Sequence, residues 1–180
     1  LPGFSNNTFE DATIGEYVAW NIGVSGGTPP YSWSMTGSLP PGLTLQDVPD
    51  PRPFWNIPGA ALVGTPTALG TYSFNVQATD HSSPPITISR TYTIRVSPLS
   101  FDGLPDAIFN TSYSKQIRIL GGRQPYIVVK TQGNLPSGLS LSSAGLVSGT
   151  PTETGNSWLQ VRMTDGSSPA NTFTRSFNMY

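Results

Sequence analysis

His81 is the only histidine of the 180-residue chain, and it stands between Asp80 and Ser82, so an acid, a base and a hydroxyl share one tripeptide. Adjacent residues cannot act as orienter, base and nucleophile, because those side chains must converge in space, each within hydrogen-bond reach of the next. The tripeptide reads instead as a solvated surface turn. The chain has no cysteine, which removes thiolate nucleophiles, thiolate metal ligands and disulfides. Its ten acids include no pair that spacing singles out, so acid-base chemistry has no evident seat and the chain is read as non-catalytic.

Binding chemistry has better material. The stretch "QDVPDPRPFWNIPG", from Gln46 to Gly59, holds prolines at 49, 51, 53 and 58. It is therefore expected to be neither helix nor central strand, but a stiff projecting loop. Phe54 and Trp55 lie at its middle, between Arg52 and Asn56. An aromatic pair on a proline-stiffened loop loses little entropy on binding, which gives a candidate contact site with Trp55 as anchor and Arg52 and Asn56 as polar orienters. The competing reading folds Phe54 and Trp55 back over the body of the domain, since apolar loop residues usually find a surface to cover.

Charge excludes other partners. Only 11% of residues are charged and the formal net charge is −1, so no global field draws in nucleic acid or an anionic membrane. Residues 1–97 carry six acids and three bases, residues 98–180 four acids and six bases. The cations Lys115, Arg118, Arg123, Lys130 and Arg162 of the second half are not tracked by the aromatic platforms that a nucleic-acid groove requires. No apolar run of about eighteen residues is present, so membrane insertion is not expected.

The elements that must position these residues come in two copies. "GTPTALGTYSFNVQATD" (Gly64 to Asp80) returns as "GTPTETGNSWLQVRMTD" (Gly149 to Asp165), "GGTPPY" (Gly26 to Tyr31) as "GGRQPY" (Gly121 to Tyr126), and "LPPGLTL" (Leu39 to Leu45) as "LPSGLSL" (Leu135 to Leu141). Order and spacing are kept, except that 11 extra residues lie between Leu45 and Gly64. What recurs is mostly Gly, Pro and Thr at turns, and between the turns run short alternating stretches such as Tyr72, Phe74, Val76, Ala78 and Leu159, Val161, Met163. These are half-buried strands. Two antiparallel β-sandwich domains are expected, residues 1–97, carrying the insertion, and residues 98–180, joined by a short linker stiffened by Pro98 and Pro105. Arg90 and Arg175 fall in register with inward positions of the last strands. Two accounts stand: a structural pair with Asp80 and Asp165, or a bulge or rim position that carries the guanidinium to water.

The combined order GG..PY, LP.GL.L, GTPT..G.Y...V.A.D resembles the immunoglobulin-like and dystroglycan-type cadherin-like tandem repeats of bacterial surface and secreted proteins, over nearly the whole chain. The resemblance implies an all-β fold of two immunoglobulin-like (cadherin-like) Greek-key β-sandwiches. It implies a spacer or adhesion module, or an accessory domain pair that binds carbohydrate or protein beside an enzyme, at the cell surface or outside the cell. The Ser-, Thr- and Asn-rich, cysteine-free composition fits a bacterial origin. The abrupt start at Leu1 and the stop at Tyr180 suggest a piece of a larger protein. Since some such repeats are associated with calcium, and a sandwich brings its entry segment toward certain loops, Asp102, Asp106 and Asp165 form the candidate metal set. The other reading makes Asp102 and Asp106 turn formers and pairs Asp165 with Arg175.

Overall fold

The computed structural model describes residues 1–5, 8–48 and 59–180, in two compact units, Leu1–Val96 and Ser97–Tyr180. The first comprises β1 (Gly3–Phe4), β2 (Ala12–Thr13), β3 (Val18–Ser25), β4 (Ser32–Gly37), β5 (Leu43–Val48), β6 (Gly59–Gly64), β7 (Gly70–Thr79) and β8 (Thr87–Ser97). They form two four-stranded sheets, in the orders β1-β3-β6-β5 and β2-β8-β7-β4. The second comprises β9 (Ser100–Phe101), β10 (Tyr113–Gln116), β11 (Ile119–Leu120), β12 (Ile127–Gly133), β13 (Leu139–Leu141), β14 (Leu146–Gly149), β15 (Ser157–Thr164) and β16 (Thr172–Met179). Its sheets run β10-β14-β13 and β12-β15-β16, with β11 paired to β9. Strands distant in sequence lie side by side, β3 with β6 and β4 with β7, which is the Greek-key crossover. Among the described residues there is no helix, and so none long and apolar enough to cross a membrane.

Alternation decides which face is buried. Phe74, Val76 and Ala78 of β7 and Tyr92, Ile94 and Val96 of β8 are buried, and they meet Val18, Ile22 and Leu62 from the facing sheet. In the second unit Leu159, Val161, Met163, Phe173 and Met179 meet Tyr113, Ile117 and Val147. Each fully buried large apolar side chain contributes on the order of 1.5–3 kcal/mol. This is what holds a sandwich without disulfides.

The repeated turns have a direct cause. In the "LPxGL" bend, Gly42 and Gly138 have φ of +92° and +91°, and a Cβ on either would stand 2.0 Å from the carbonyl oxygen of Thr65 or Thr150. The amides answer across the same contact. Thr65 N donates to Gly42 O at 3.2 Å and Thr67 N to Pro41 O at 2.9 Å, while Thr150 N donates to Gly138 O at 3.1 Å and Thr152 N to Ser137 O at 2.9 Å. The two most repeated phrases of the sequence therefore touch each other, backbone to backbone.

The insertion lengthens a hairpin at the edge of its sheet. β5 and β6 stay paired through Gln46 with Ala61, Asp47 with Ala60 and Val48 with Gly59. Their counterparts β13 and β14 close at Leu141 with Val147, by a turn in which Ser142 N donates to Leu146 O at 2.9 Å. The expected loop of 46–59 is corrected accordingly: residues 46–48 continue an edge strand, because the four prolines begin only at 49. Residues 49–58, with the candidates Arg52, Phe54, Trp55 and Asn56, lie outside the described residues.

Replacing Gly138 by Ala should destabilise the second unit by roughly 2–4 kcal/mol, since positive φ and a backbone clash act together. Gly103, where an added Cβ meets nothing within 4 Å, should tolerate Ala within about 0.5 kcal/mol. Urea unfolding of the two variants measures both.

Candidate interaction site

Asp80 and Asp165 directly follow β7 and β15, and both residues are buried. Asp80 Oδ2 accepts from Thr28 N at 3.2 Å, and its Oδ1 accepts from Ser82 N, Ser82 Oγ and Ile86 N at 3.2, 2.6 and 2.8 Å. Asp165 Oδ2 accepts from Arg123 N, Ser167 Oγ and Asn171 Nδ2 at 3.1, 2.8 and 3.0 Å, while Oδ1 accepts from Ser167 N and Asn171 N at 3.2 and 2.7 Å. Each carboxylate thus ties together its own loop, the loop between the third and fourth strands of its sandwich, and the start of the last strand. The double glycine of that middle loop makes room: a Cβ on Gly27 or Gly122 would stand 2.7 or 2.6 Å from the Oδ2. Tyr31 and Tyr126 complete the loop, donating through their hydroxyls to Gly26 O and Gly121 O.

These donors stabilise the ionised form. The Ser82 hydroxyl first, then the Ile86 amide and the other amides, outweigh burial and lower the Asp80 pKa to about 2. For Asp165, burial pushes the pKa up, but the Asn171 side chain and amide, the Ser167 hydroxyl and the Arg123 amide together hold it below the usual carboxylate range. His81 is exposed and serves through its backbone, donating to Thr28 O at 2.7 Å.

The arginines are not what neutralises these carboxylates. Arg90 faces Val76 and Arg175 faces Val161 in unbroken registers, so no bulge turns either outward. Both are half-buried. The Arg90 guanidinium lies 5.6 Å from the centre of the Phe4 ring, and that of Arg175 lies 5.1 Å from Phe173 and 6.0 Å from Phe101. An inward arginine is tolerated here because aromatic faces receive the cation, while the buried Nε of Arg175 has no hydrogen-bond partner.

The structure does not gather the candidate calcium ligands. Asp106 Oδ1 accepts from Tyr180 N at 3.0 Å, just beyond the end of β16, whereas Asp165 accepts from Asn171 N, just before its start. A strand of that length separates them by roughly 25 Å. Asp102 is exposed, 3.9 Å from Arg118 Nη1. Among the described residues no three His, Cys, Asp or Glu side chains form a group that could hold a metal. Calcium wants six to eight oxygens, several from carboxylates, and Asp165 has committed both of its own to hydrogen bonds. The set does not fit.

Two features of the second unit were not read from the sequence. A cleft of about 580 Å³ lies beside β12 and β13, lined among others by Val128, Lys130, Leu135, Leu139 and Leu141. In the first unit the equivalent strand β4 packs Trp33 and Met35 against the core. The smaller Val128, and Lys130, whose Nζ donates to Asn134 Oδ1 at 2.9 Å, leave that space open. Trp158 stands 47% exposed where the first copy has Ser73. Aligning the positions at which the copies differ, and not only their shared residues, exposes both changes.

Comparison with known proteins gives one sequence match. The family described as "Putative Ig domain" matches residues 4–97 and again 102–179. No curated protein is similar to the chain in sequence. Among solved structures, the extracellular domain of protocadherin γB4 is 15% identical, with a TM-score of 0.37, over 99% of this chain and 34% of that one. The I67–I69 I-band fragment of titin is 15% identical, with a TM-score of 0.41, over 99% of this chain and 64% of that one. Drosophila N-cadherin EC1-4 is 13% identical, with a TM-score of 0.36, over 99% and 49%. The chain spans less than two thirds of the length of each.

A carboxyl group whose pKa is depressed by folding contributes stability above its unfolded pKa, about 3.9 for Asp, and loses it as pH falls through the folded value. With Asp80 at about 2, Asp80→Asn should be less stable than the parent at pH 6. The gap should close between about pH 4 and 2, read from urea midpoints. Thermal midpoints measured with calcium and with chelator should coincide, since a tightly bound ion would raise the first.

Proposed function

Because the chain belongs, in two tandem copies, to the family described as "Putative Ig domain", we propose that it serves as a spacer that carries an adhesive contact, as a module of an extracellular or cell-surface protein. Domain pairs of this kind are interaction modules, typically without catalytic activity and typical of extracellular proteins. The observation that carries the adhesive reading is the asymmetry of one hairpin. Between two copies that keep the same turns, the first extends β5 and β6 by three further pairs, ending at Val48 and Gly59. That stem brings Val48 and Gly59 together at a sheet edge, and the reading takes the aromatic residues of the segment between them as the contact to a partner at the cell surface. Trp55 is the anchor, with Phe54 beside it and Arg52 and Asn56 as orienting polar groups.

A second reading, accessory binding of carbohydrate beside an enzyme, is favoured by one observation, the exposure of Trp158 beside the polar Asn178 and Gln160.

The contact reading is tested by comparing the intact chain with Trp55→Ala and with deletion of Asp47 to Ile57. Urea unfolding and retention on beads coated with the surface proteins of the producing cell are both measured. The expected result is loss of retention for both variants, with the stability of Trp55→Ala within about 0.5 kcal/mol of the parent. A fall of several kcal/mol, as for removal of a core aromatic, with unchanged retention per folded molecule, would assign the segment to the core and sink the site.

A further inference from the structure

The outward faces of the two equivalent sheets differ in a way that points to a ligand. On the β4-β7-β8 face the exposed side chains bond to one another: Ser34 Oγ to Gln77 Oε1 at 3.4 Å, Ser73 Oγ with Thr93 Oγ1 at 2.9 Å, and Asn75 Nδ2 to Thr91 Oγ1 at 3.2 Å. It is a satisfied polar surface with no apolar relief. On the β12-β15-β16 face, Trp158 replaces Ser73 and Asn178 replaces Thr93, again directly opposite each other in register.

The indole is seated, not loosely projecting. A Cβ on Gly133 of the neighbouring strand would stand 3.1 Å from the indole Cδ2, so the ring leans over the place where a side chain would be. Nearly half of the residue remains exposed. Beside it the Gln160 amide is oriented from both sides, accepting from Thr131 Oγ1 at 2.9 Å and donating from Nε2 to Ser176 Oγ at 3.4 Å. The aromatic surface is thus bordered along β15 and β16 by the uncharged Gln160, Asn178 and Ser176, while the apolar Val129 and the cation Arg162, opposite each other in register, lie further along the same face.

This composition discriminates between ligand classes. A protein hot spot is ringed by contacts that exclude water, and the amides and hydroxyls immediately beside Trp158 do not make such a ring. A pyranose offers an apolar C–H face together with a rim of hydroxyls, which matches an aromatic plate with uncharged hydrogen-bonding neighbours. We propose that Trp158, with Asn178 and Gln160, forms a platform on which a sugar ring of a neutral polysaccharide stacks. The proposal deepens the interaction-module reading, but uses none of the β5–β6 hairpin.

Native electrophoresis in gels containing barley β-glucan, glucomannan, laminarin or dextran tests it. At least one gel should retard the intact chain. Trp158→Ala should weaken that affinity by about tenfold or more at an unchanged urea midpoint, Trp158→Phe should retain most of it, and Asn178→Ala should weaken it less. Deletion of Asp47 to Ile57 should leave the retardation unaltered, which separates this site from the hairpin contact. Migration unaffected by any of the four polysaccharides, or equal retardation of Trp158→Ala and the parent, overturns the proposal.

Discussion

The loops of a β-sandwich contain amides that no neighbouring strand can satisfy, and an unpaired buried N–H costs on the order of 1–3 kcal/mol. In both units one carboxylate meets this requirement at the most crowded end, accepting from three separate stretches of chain. The other local features follow from it. The double glycine admits the oxygen, the tyrosine hydroxyl caps the glycine carbonyl, and the returning strand starts where its first amide meets the acid. In both units the same loops carry matching cis bonds, before Pro30 and Pro84 and before Pro125 and Pro169. An acid placed there is a structural anion, with both oxygens committed to amides and hydroxyls of its own loops.

The fold was legible because its signals are local. Turn residues and period-2 alternation report on a few residues at a time, and they located the strands and the two copies. The role of Asp80 was not legible, since one of its donors, Thr28 N, lies 52 positions away. The inward register of Arg90 and Arg175 could be read from alternation, but the rings that receive them, Phe4 and Phe101, come from strands at the start of each unit. The grouping of Asp102, Asp106 and Asp165 rested on which end of a sandwich a segment enters. The length of β16 decides that, and it sends Asp106 to the far end. The proline-rich segment shows the opposite limit: its composition is eloquent, yet only its β-paired stem is described.

Where backbone contacts set the register, side chains are released from that duty. The interlock of Gly42 with Thr65, and of Gly138 with Thr150, involves no side-chain identity beyond glycine itself. The two copies can therefore differ at nearly every outward position and still close the same sandwich. Ser73 against Trp158, and a short hairpin against a long one, are changes made on a frame that does not register them. Functional divergence is expected on such faces and edges, and not in the turns.

Lys130 illustrates a different effect of divergence, one that concerns assembly. Adjacent repeats with matching turns are prone to exchange strands while folding. In the first unit Met35 faces Val76 across β4 and β7, against the core. Were β12 to pair with β7 in its place, an ammonium group would arrive where the thioether sits, and Val128 would replace Trp33 and leave a void. Burying a charge and opening a cavity both oppose that pairing. The residue that lines the second unit's cleft thus also disfavours β12 in the place of β4.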